Sequence, residues 1–403
     1  MPPLCTPPLA LYVHFPWCVR KCPYCDFNSY TLNGELAAEP YLARLTRDLE
    51  AQAARVAGRE VVSVFLGGGT PSLFPPEAIG RVLQVARRQL PLAPDVEVTL
   101  EANPGTIERG AFREYRAAGV TRVSLGAQSF AERTLAVLGR IHSPEETRRA
   151  AAELHAAGLE NFNLDLMYAL PGQDVPCAVR DIEEALALAP AHLSHYQLTL
   201  EPGTVFAAHP PALPDDDDAA AMLAACGERL SAAGFGQYEV SAYARPGAAC
   251  RHNLNYWQFG DYLGVGAGAH GKLTLVRSGQ IVRTTQLREP RRYLAAADEN
   301  LSRRVIAANE LPFEFMLNAL RLTDGFDAAL FPSRTGLEWE VIAAPMQSAL
   351  ARGLLERTPA GYRPSTRGLR FLNDLLLEFL PETPKKSGGS MLSMATPEVS
   401  GAL

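Results

Sequence analysis

The 403-residue sequence lacks the features of several classes of protein. No apolar run approaches the ~18 residues of a membrane span, and the N-terminus, Met-Pro-Pro-Leu-Cys, has neither the basic stretch nor the apolar core of a secretory signal. Positive charge is not in excess, because 38 Lys and Arg against 44 Asp and Glu give a net charge of −6. A nucleic-acid partner is therefore not expected. With 47% hydrophobic residues, the sequence predicts a folded, soluble, cytoplasmic protein.

Cysteine is sparse, and an odd total of seven without an export signal argues against a disulfide scaffold. Three of the seven nevertheless fall together, in the spacing Cys18-x3-Cys22-x2-Cys25, directly after the first predicted strand. Three neighbouring thiols predict a metal centre. A structural zinc site takes four protein ligands, and a [4Fe–4S] cluster usually takes four cysteines, so one ligand is missing. Either His14 supplies it, or one iron of a cluster stays open to a ligand from outside the protein.

Short β-rich runs alternate with segments of helical period along the first part of the chain. Strands are predicted at residues 9–15, 61–66, 96–101, 122–126, 161–168 and 192–200, and helices at residues 41–57, 77–90, 107–118, 144–157, 178–188 and 215–233. Three helices end in Ala-Ala-Gly, where Gly119, Gly158 and Gly234 would close them in the left-handed conformation. Six β-then-α units predict an α/β fold with parallel strands. Both an open doubly wound sheet and an incomplete eight-fold-type barrel satisfy this pattern.

The alternation stops near residue 236. Residues 237–244 look like a strand, and residues 262–272 look like a glycine-rich turn region. Helices at 310–321 and 338–352, followed by a hairpin at 354–362, predict a mainly helical, winged-helix-like C-terminal domain. The predicted organisation is an N-terminal extension (1–8), a β/α core (9–236), a linking region (237–300), the C-terminal domain (301–382) and a disordered tail (383–403).

Polar or glycine residues stand at the carboxyl ends of several predicted strands, which share one face in a parallel sheet or barrel. The run Gly67-Gly68-Gly69-Thr70 follows the second strand and would let backbone N–H groups approach an anion. Glu101 ends the third strand, Gln128 follows the fourth, and Asp165 interrupts the fifth. A carboxylate such as Asp165 needs a partner, and Arg140 is a candidate. Alternatively, each is a tight turn or a satisfied core group.

One further motif, Arg251-His252-Asn253-Leu254-Asn255-Tyr256-Trp257, lies outside the repeat. A histidine beside aromatic rings can ligate haem iron while the rings pack on the macrocycle. Cys250 is an alternative soft ligand. For an isolated histidine among aromatic residues, ordinary packing explains the pattern equally well, so the residues alone leave a haem site at His252 open.

The motif Tyr12-Val13-His14-Phe15-Pro16-x-Cys18-x3-Cys22-x2-Cys25 resembles that of the radical S-adenosylmethionine (SAM) superfamily. Gly-Gly-Gly-Thr-Pro-Ser, Glu101-Ala-Asn-Pro, Gln128-Ser-Phe, Gly139-Arg140 and Asp165 follow in the family's order. The resemblance implies an incomplete (β/α)6 barrel with a C-terminal domain. It also implies a [4Fe–4S] cluster on the three cysteines, with SAM on the open iron. The implied SAM pocket comprises Tyr12, Gly68, Glu101, Gln128, Arg140 and Asp165, and a second SAM molecule would lie near Tyr24, Gly69 and Thr70.

Two branches of the superfamily come nearest, the oxygen-independent coproporphyrinogen III dehydrogenases and the HemW-like haem chaperones. The dehydrogenase pattern carries a fourth cysteine where this chain has Phe27, and the segment His252–Trp257 matches the chaperone motif His-Asn-x-x-Tyr-Trp. The resemblance thus implies a protein that binds haem, with His252 at or near it, and passes it to acceptor haemoproteins. An electron-donor protein is an implied partner, and a homodimer is one oligomeric state to test. The alternative is oxidative decarboxylation in porphyrin biosynthesis.

Overall fold

The computed structural model describes residues 2–56, 58–105, 111–296 and 301–381. Six strands pair in parallel and in chain order, because each pair is joined by a helical crossover. These strands, β1 to β6, are Leu9–Phe15, Val61–Gly68, Leu92–Ala102, Arg122–Gln128, Phe162–Tyr168 and His192–Gln197. The predicted parallel β/α core is therefore confirmed.

Helices follow the strands and cover their outer faces. Their bounds are Ala38–Ala53, Pro76–Gln89, Phe112–Ala118, Glu132–Val137, Pro144–Ala156, Val175–Ala187, Val205–Ala208 and Asp216–Ala232, with 3₁₀ turns at Ala54–Val56 and Pro71–Leu73. Gly119, Gly158 and Gly234 have φ of 111°, 68° and 84°, so the predicted left-handed helix ends are confirmed. The predicted helix over 107–118 begins outside the described residues, which resume at 111.

The sheet extends beyond the six predicted strands on both sides. Next to β6 lie two short antiparallel strands, β7 and β8, and next to β1 lie a seventh parallel strand, β9, and three antiparallel strands, β10 to β12. Their bounds are Gly236–Glu239, Ala242–Ala244, Asp261–Val265, His270–Leu275, Gln280–Thr285 and Ser302–Val305. The spatial order is β12-β11-β10-β9-β1-β2-β3-β4-β5-β6-β8-β7. Among the described residues β12 and β7 do not pair with each other, so the barrel is incomplete.

The prediction of a turn region over 262–272 was wrong for most of its length. Only residues 266–269 form the turn, and strands β9 and β10 flank it. Gly264 lies within β9 because the partner strand comes so close that a Cβ there would lie 1.9 Å from the carbonyl oxygen of His270. Glycine here reflects close packing of two strands rather than the absence of a strand.

The C-terminal part is mainly helical, as predicted, and its predicted hairpin is part of a small three-stranded sheet. After Arg251–Trp257 and Pro290–Ala295, its helices are Leu311–Ala319, Leu330–Thr335, Glu340–Ala351, Thr366–Arg370 and Leu372–Leu377. The sheet strands, β13 to β15 in chain order, are Phe326–Asp327, Leu355–Arg357 and Gly361–Pro364. β14 and β15 form the predicted hairpin. The tail predicted over 383–403 lies outside the described residues.

Two large hydrophobic clusters form separate cores for the barrel and for the C-terminal part. A third, small cluster joins them, because Leu322 of the C-terminal part packs with Ala10, Tyr256, Trp257 and Tyr262. No helix among the described residues is long and apolar enough to span a membrane.

Candidate functional site

The three clustered cysteines lie on a loop that leaves β1 and folds back on itself. Trp17 and Cys18 pair in parallel with Tyr30 and Thr31, which closes the loop at its base. Inside it, Lys21 Nζ donates to the carbonyls of Phe27 and Ser29, both at 3.0 Å. A positive side chain thus fastens the loop through main-chain oxygens rather than through the thiols.

The donor set of this loop fits an iron–sulfur cluster. Cys18, Cys22 and Cys25 are free thiols, each only partly exposed. Burial raises the pKa of the Cys18 thiol to about 11, so binding a metal there would release a proton. No group of three or more His, Cys, Asp or Glu side chains in the described part of the chain surrounds a single metal ion. The loop therefore offers three closely spaced thiols rather than a preformed single-ion site.

His14 does not offer the missing ligand, because both of its ring nitrogens are engaged. Nε2 lies 2.9 Å from the carbonyl oxygen of Asn28 and Nδ1 lies 2.9 Å from the hydroxyl of Tyr12. A carbonyl only accepts, so Nε2 carries the proton and Nδ1 accepts from Tyr12. Burial lowers the pKa of His14 to about 4, which keeps the ring neutral. The interpretation of His14 as a fourth ligand is not supported, and the ring instead positions the loop.

The glycine run packs against the cysteine loop. A Cβ on Gly68 would lie 2.4 Å from His14 Cε1, and a Cβ on Gly69 would lie 2.6 Å from the carbonyl oxygen of Trp17. The amides of Gly69 and Thr70 donate to Phe15 and Trp17 at 2.7 and 2.8 Å. The expectation that this run offers N–H groups to an anion was therefore wrong for Gly69 and Thr70, because the protein's own backbone already uses their amides.

Glu101 and Arg140 close the rim on the far side of the glycine run. Glu101 Oε2 accepts from the amide of Gly68 at 2.9 Å, and burial raises the pKa of its carboxyl to about 8. Arg140 donates to the carbonyl of Gly126 at 2.6 Å, and its Nη1 lies 3.7 Å from Cys22 Sγ. A guanidinium next to a cysteine places positive charge beside the predicted cluster.

Asn103 is a site residue that the sequence reasoning missed. Its side-chain oxygen accepts from Arg140, and its Nδ2 donates to Thr70 Oγ1 at 2.9 Å. Asn103 therefore links the glycine run to the arginine beside Cys22. The signal was its place two residues after Glu101, just beyond the end of β3.

Asp165 does not pair with Arg140, contrary to expectation. Ser124 Oγ and Asn163 Nδ2 donate to its two carboxylate oxygens at 3.2 and 2.7 Å, and burial raises its pKa. Gln128, at φ 66°, accepts from the hydroxyl of Tyr196 at 2.7 Å. Asp165 is thus held by hydrogen bonds from neutral side chains, and the cation that lowers its pKa is Arg122.

A cavity of about 540 Å³ opens between the barrel rim, strands β9 to β12 and the helix Leu311–Ala319. It brings together five predicted features: Tyr12, Gly68, Glu101, Phe27 and His252. A second, small pocket brings together Cys22, Thr70 and Arg140. Tyr24 instead packs on Phe206, with ring centroids 6.3 Å apart, and Gln128, Asp165 and Gly69 line neither space.

His252 lies at the cavity wall among aromatic rings. Its ring stacks on Phe65 with centroids 4.4 Å apart, and Tyr256 lies 4.5 Å away. Burial lowers the pKa of His252 to about 3, so the ring is neutral, and Nδ1 has no hydrogen-bond partner. The indole nitrogen of Trp257, also at the cavity, is likewise unpartnered. Buried polar atoms without partners are uncommon, and two of them beside one cavity are consistent with a ligand that would satisfy them.

Comparison with known proteins gives matches over most of the chain. The Radical SAM superfamily model matches residues 12–201, and the HemN C-terminal domain model matches residues 306–371. The protein named Heme chaperone HemW of Escherichia coli (strain K12) is 48% identical over 93% of this chain and 99% of its own length. Radical S-adenosyl methionine domain-containing protein 1, mitochondrial, of Mus musculus is 38% identical over 93% of this chain and 87% of its own length. The solved structure of coproporphyrinogen III oxidase (HemN) of Escherichia coli, described as a radical SAM enzyme, has a TM-score of 0.78 at 22% identity and covers 93% of this chain and 90% of that one.

Proposed function

The chain belongs to the radical SAM superfamily and, within it, to the family of the HemW haem chaperones, and from this premise we propose that it binds haem and delivers it to acceptor haemoproteins. The observation that carries the proposal is the similarity to proteins of that name along nearly the whole chain. The cavity beside His252 supports it, because about 300–1,000 Å³ is the usual size of a small-molecule pocket.

The proposal includes a [4Fe–4S] cluster held by Cys18, Cys22 and Cys25, with SAM as the ligand from outside the protein. A bound cluster of this kind supplies one-electron redox chemistry. The chain's own residues hold the loop in place: His14 anchors it through Asn28, and Arg140 sets a positive charge beside Cys22. Tyr12, Gly68 and Glu101 share the cavity with His252, so SAM and haem would occupy neighbouring sites.

For haem, the proposal assigns His252 as an iron ligand. An imidazole must be neutral to bind a metal, and the pKa of His252, about 3, keeps it neutral at any physiological pH. Its unpartnered Nδ1 costs free energy until a ligand satisfies it. Phe65 and Tyr256 supply flat apolar surface beside the ring. An electron-donor protein, a homodimer and a cytoplasmic setting remain predictions from the sequence.

Haem titration after anaerobic cluster reconstitution tests this proposal. Wild type should give a saturable Soret band, and His252→Ala should lower haem affinity by about tenfold or more, as loss of an iron ligand would imply. His195→Ala is the matched control, because His195 is also buried, stacks on Tyr168 at 4.7 Å and leaves Nδ1 unpartnered, yet it does not line the cavity. Equal affinities of the two variants would contradict the assignment.

The same material tests the alternative of oxidative decarboxylation. We expect no turnover of coproporphyrinogen III, because Phe27 occupies the place where the dehydrogenase pattern has its fourth cysteine. Formation of 5′-deoxyadenosine in step with decarboxylated product would replace the chaperone proposal with an enzymatic one. Cys22→Ala should lose the cluster in either case, which iron and sulfide analysis would show.

A further inference from the structure

The large cavity has one strongly charged wall. Two carboxylates, Glu101 and Glu314, line the cavity together with five cationic side chains, which are Lys272, Arg283, Arg288, Arg304 and Arg321. Because burial raises the pKa of Glu101 to about 8, that carboxyl contributes little negative charge at neutral pH. Cationic side chains thus outnumber carboxylates in the lining, and the contacts of each one decide which of them can bind an anionic ligand.

Two of the five cations are neutralised behind the wall. Lys272 Nζ lies 3.0 Å from Asp261, and Arg321 Nη2 lies 3.0 Å from Glu239. Both carboxylates are almost completely buried, at 0% and 1% exposed. These two ion pairs stabilise the fold, so an anionic ligand would bind to other residues.

Arg283 and Arg304 are arranged differently. They stand directly opposite each other on the antiparallel strands β11 and β12, so their side chains share one face of the sheet. Like charges in this position destabilise a sheet unless a counter-charge joins them. Glu314 supplies this counter-charge, with Oε2 2.5 Å from Arg283 and Oε1 3.5 Å from Arg304. Glu310 also accepts a hydrogen bond from Arg304 at 2.7 Å.

These contacts leave donors available on both guanidinium groups. Each has five N–H donors, and one further contact is made by Arg283, whose Nη1 donates to the hydroxyl of Tyr262 at 2.7 Å. The side chain of Arg304 is 54% exposed, so a ligand can reach it. The same cavity is also lined by the aromatic rings of Phe65, Tyr256 and His252. A ligand with a flat apolar body and carboxylates on one edge would match both kinds of lining.

We propose that Arg283 and Arg304 bind the propionate carboxylates of haem and so fix its orientation in the cavity, with Glu314 serving as their counter-ion when the cavity holds no ligand. This inference rests on the proposed haem-binding function and adds a carboxylate subsite to it. The iron would face His252, and the propionate edge would face β11 and β12. The subsite selects tetrapyrroles that carry free carboxylates.

Haem and its dimethyl ester, delivered from the same detergent stock, separate carboxylate recognition from binding of the macrocycle. Wild type should bind haem about tenfold more tightly than the ester, in line with the strength of charge-assisted hydrogen bonds. Arg304→Gln should lower haem affinity by a similar factor and leave ester affinity unchanged. Arg303→Gln removes the same charge from the opposite face of the same strand, outside the cavity lining, and should change neither.

Glu314→Gln should change haem affinity in the opposite direction. Removing the internal counter-ion should tighten haem binding several-fold and leave ester binding unchanged, whereas a merely structural role would weaken both. Equal affinity of wild type for haem and ester, or equal effects of Arg303→Gln and Arg304→Gln, would overturn the carboxylate subsite while leaving haem binding intact. Failure of wild type to bind either compound would overturn the haem-binding proposal itself.

Discussion

At the scale of single residues, Gly68 shows how a neighbouring side chain can require glycine at one position of a motif. Its φ of 112° is in the region that glycine alone adopts readily, and the His14 ring occupies the space that a Cβ would need. The ring is held on both sides, by Tyr12 and by the Asn28 carbonyl, so it cannot move aside cheaply. The glycine is therefore required by the anchoring of the cysteine loop.

Gly68→Ala should lower the free energy of unfolding by about 2–4 kcal/mol, because overpacking adds to the cost of a left-handed backbone. Gly172→Ala is the control: Gly172 has a φ of 72° but open space around it, so about 1–2 kcal/mol is expected from the backbone alone. Urea unfolding of both variants gives the difference. Equal losses would mean that the His14 ring does not restrict this position.

Glu101 gives a pH-dependent prediction. Its pKa of about 8 lies above the ordinary 4.5, since burial disfavours the charged form. The folded protein thus holds a proton that the unfolded chain releases, and this contribution to stability is complete below pH 4.5 and is lost as the pH rises to 8. Glu101→Gln should remove this pH-dependent loss of stability, so the free energy of unfolding of the variant relative to wild type should rise by about 2–4 kcal/mol between pH 4.5 and 8. The rise is smaller than the full pKa shift implies, because the carboxyl lines the cavity and keeps some solvent contact.

Unfolding free energies of cluster-free protein at pH 4.5, 6 and 8 would measure this rise. Glu77→Gln removes an exposed carboxylate from the first turn of helix Pro76–Gln89 and controls for the substitution itself, because its stability relative to wild type should not rise with pH. A pH profile of Glu101→Gln parallel to that of wild type would mean that the carboxyl is already charged when the protein is folded.

The residue scale also shows where sequence reasoning ends. Cys18, Cys22 and Cys25 could be found because their spacing along one loop is visible in the chain itself. The partners of Asp165 could not, since Ser124 reaches it through the register of the neighbouring strand β4, and Asn163 contacts it from the same face of its own strand. Arg140 was paired with the wrong group for the same reason, because the geometry of the loop takes it to Cys22 instead.

At the scale of elements, the six parallel strands could be predicted because each is a short β-rich run followed by a segment of helical period. Strand β9 could not, since its five residues include Gly264 and a glycine-containing turn follows it. Its pairing with β1 comes from residues some 250 positions away in the chain, from Leu9 with Asp261 to Val13 with Val265. Short strands recruited by distant pairing carry little local signal.

The turn after β9 is joined to the cysteine loop by Asn28. Its Nδ2 donates to the carbonyls of Ala267 and Arg288, both at 3.0 Å, while its own carbonyl accepts from His14. Asn28→Ala should therefore lower the free energy of unfolding by about 1–3 kcal/mol, because two carbonyls lose their donor. It should also lower the iron content that the protein reaches on reconstitution. Asn28→Asp should be at least as damaging, since a carboxylate cannot donate to a carbonyl.

The control for this element is Asn253→Ala, whose side chain makes one long contact of 3.4 Å to the hydroxyl of Tyr238. This variant should lower the free energy of unfolding by less than about 1 kcal/mol, as expected for a weak hydrogen bond, and should keep the full iron content. If Asn28→Ala also kept full iron content at unchanged stability, the loop would be held without the turn.

At the scale of the whole molecule, the cavity exists because the barrel and the C-terminal part meet. Main-chain hydrogen bonds join them, from Val240 N to the carbonyl of Arg321 at 3.1 Å and from Thr323 N to that of Tyr238 at 3.2 Å. No local pattern reveals such contacts, because they link segments some 80 residues apart. The sequence could therefore predict the two parts, but it could not predict the binding space between them.

Arg321 fastens this junction, and its loss should be costly. Its guanidinium pairs with Glu239, which is 1% exposed, and lies 4.3 Å over the ring of Trp257. Arg321→Ala should lower the free energy of unfolding by about 3–5 kcal/mol, because a buried carboxylate is left without its partner.

Arg363→Ala is the control: it removes an arginine whose partner Glu356 is 48% exposed, so a loss of about 0–1 kcal/mol is expected. Denaturant unfolding would measure both losses, and adding Glu239→Gln to Arg321→Ala should restore part of the first loss, since the amide is cheaper to bury than an unpaired charge. A loss for Arg321→Ala as small as that for Arg363→Ala would mean that the two parts are joined by their main chains and apolar contacts alone.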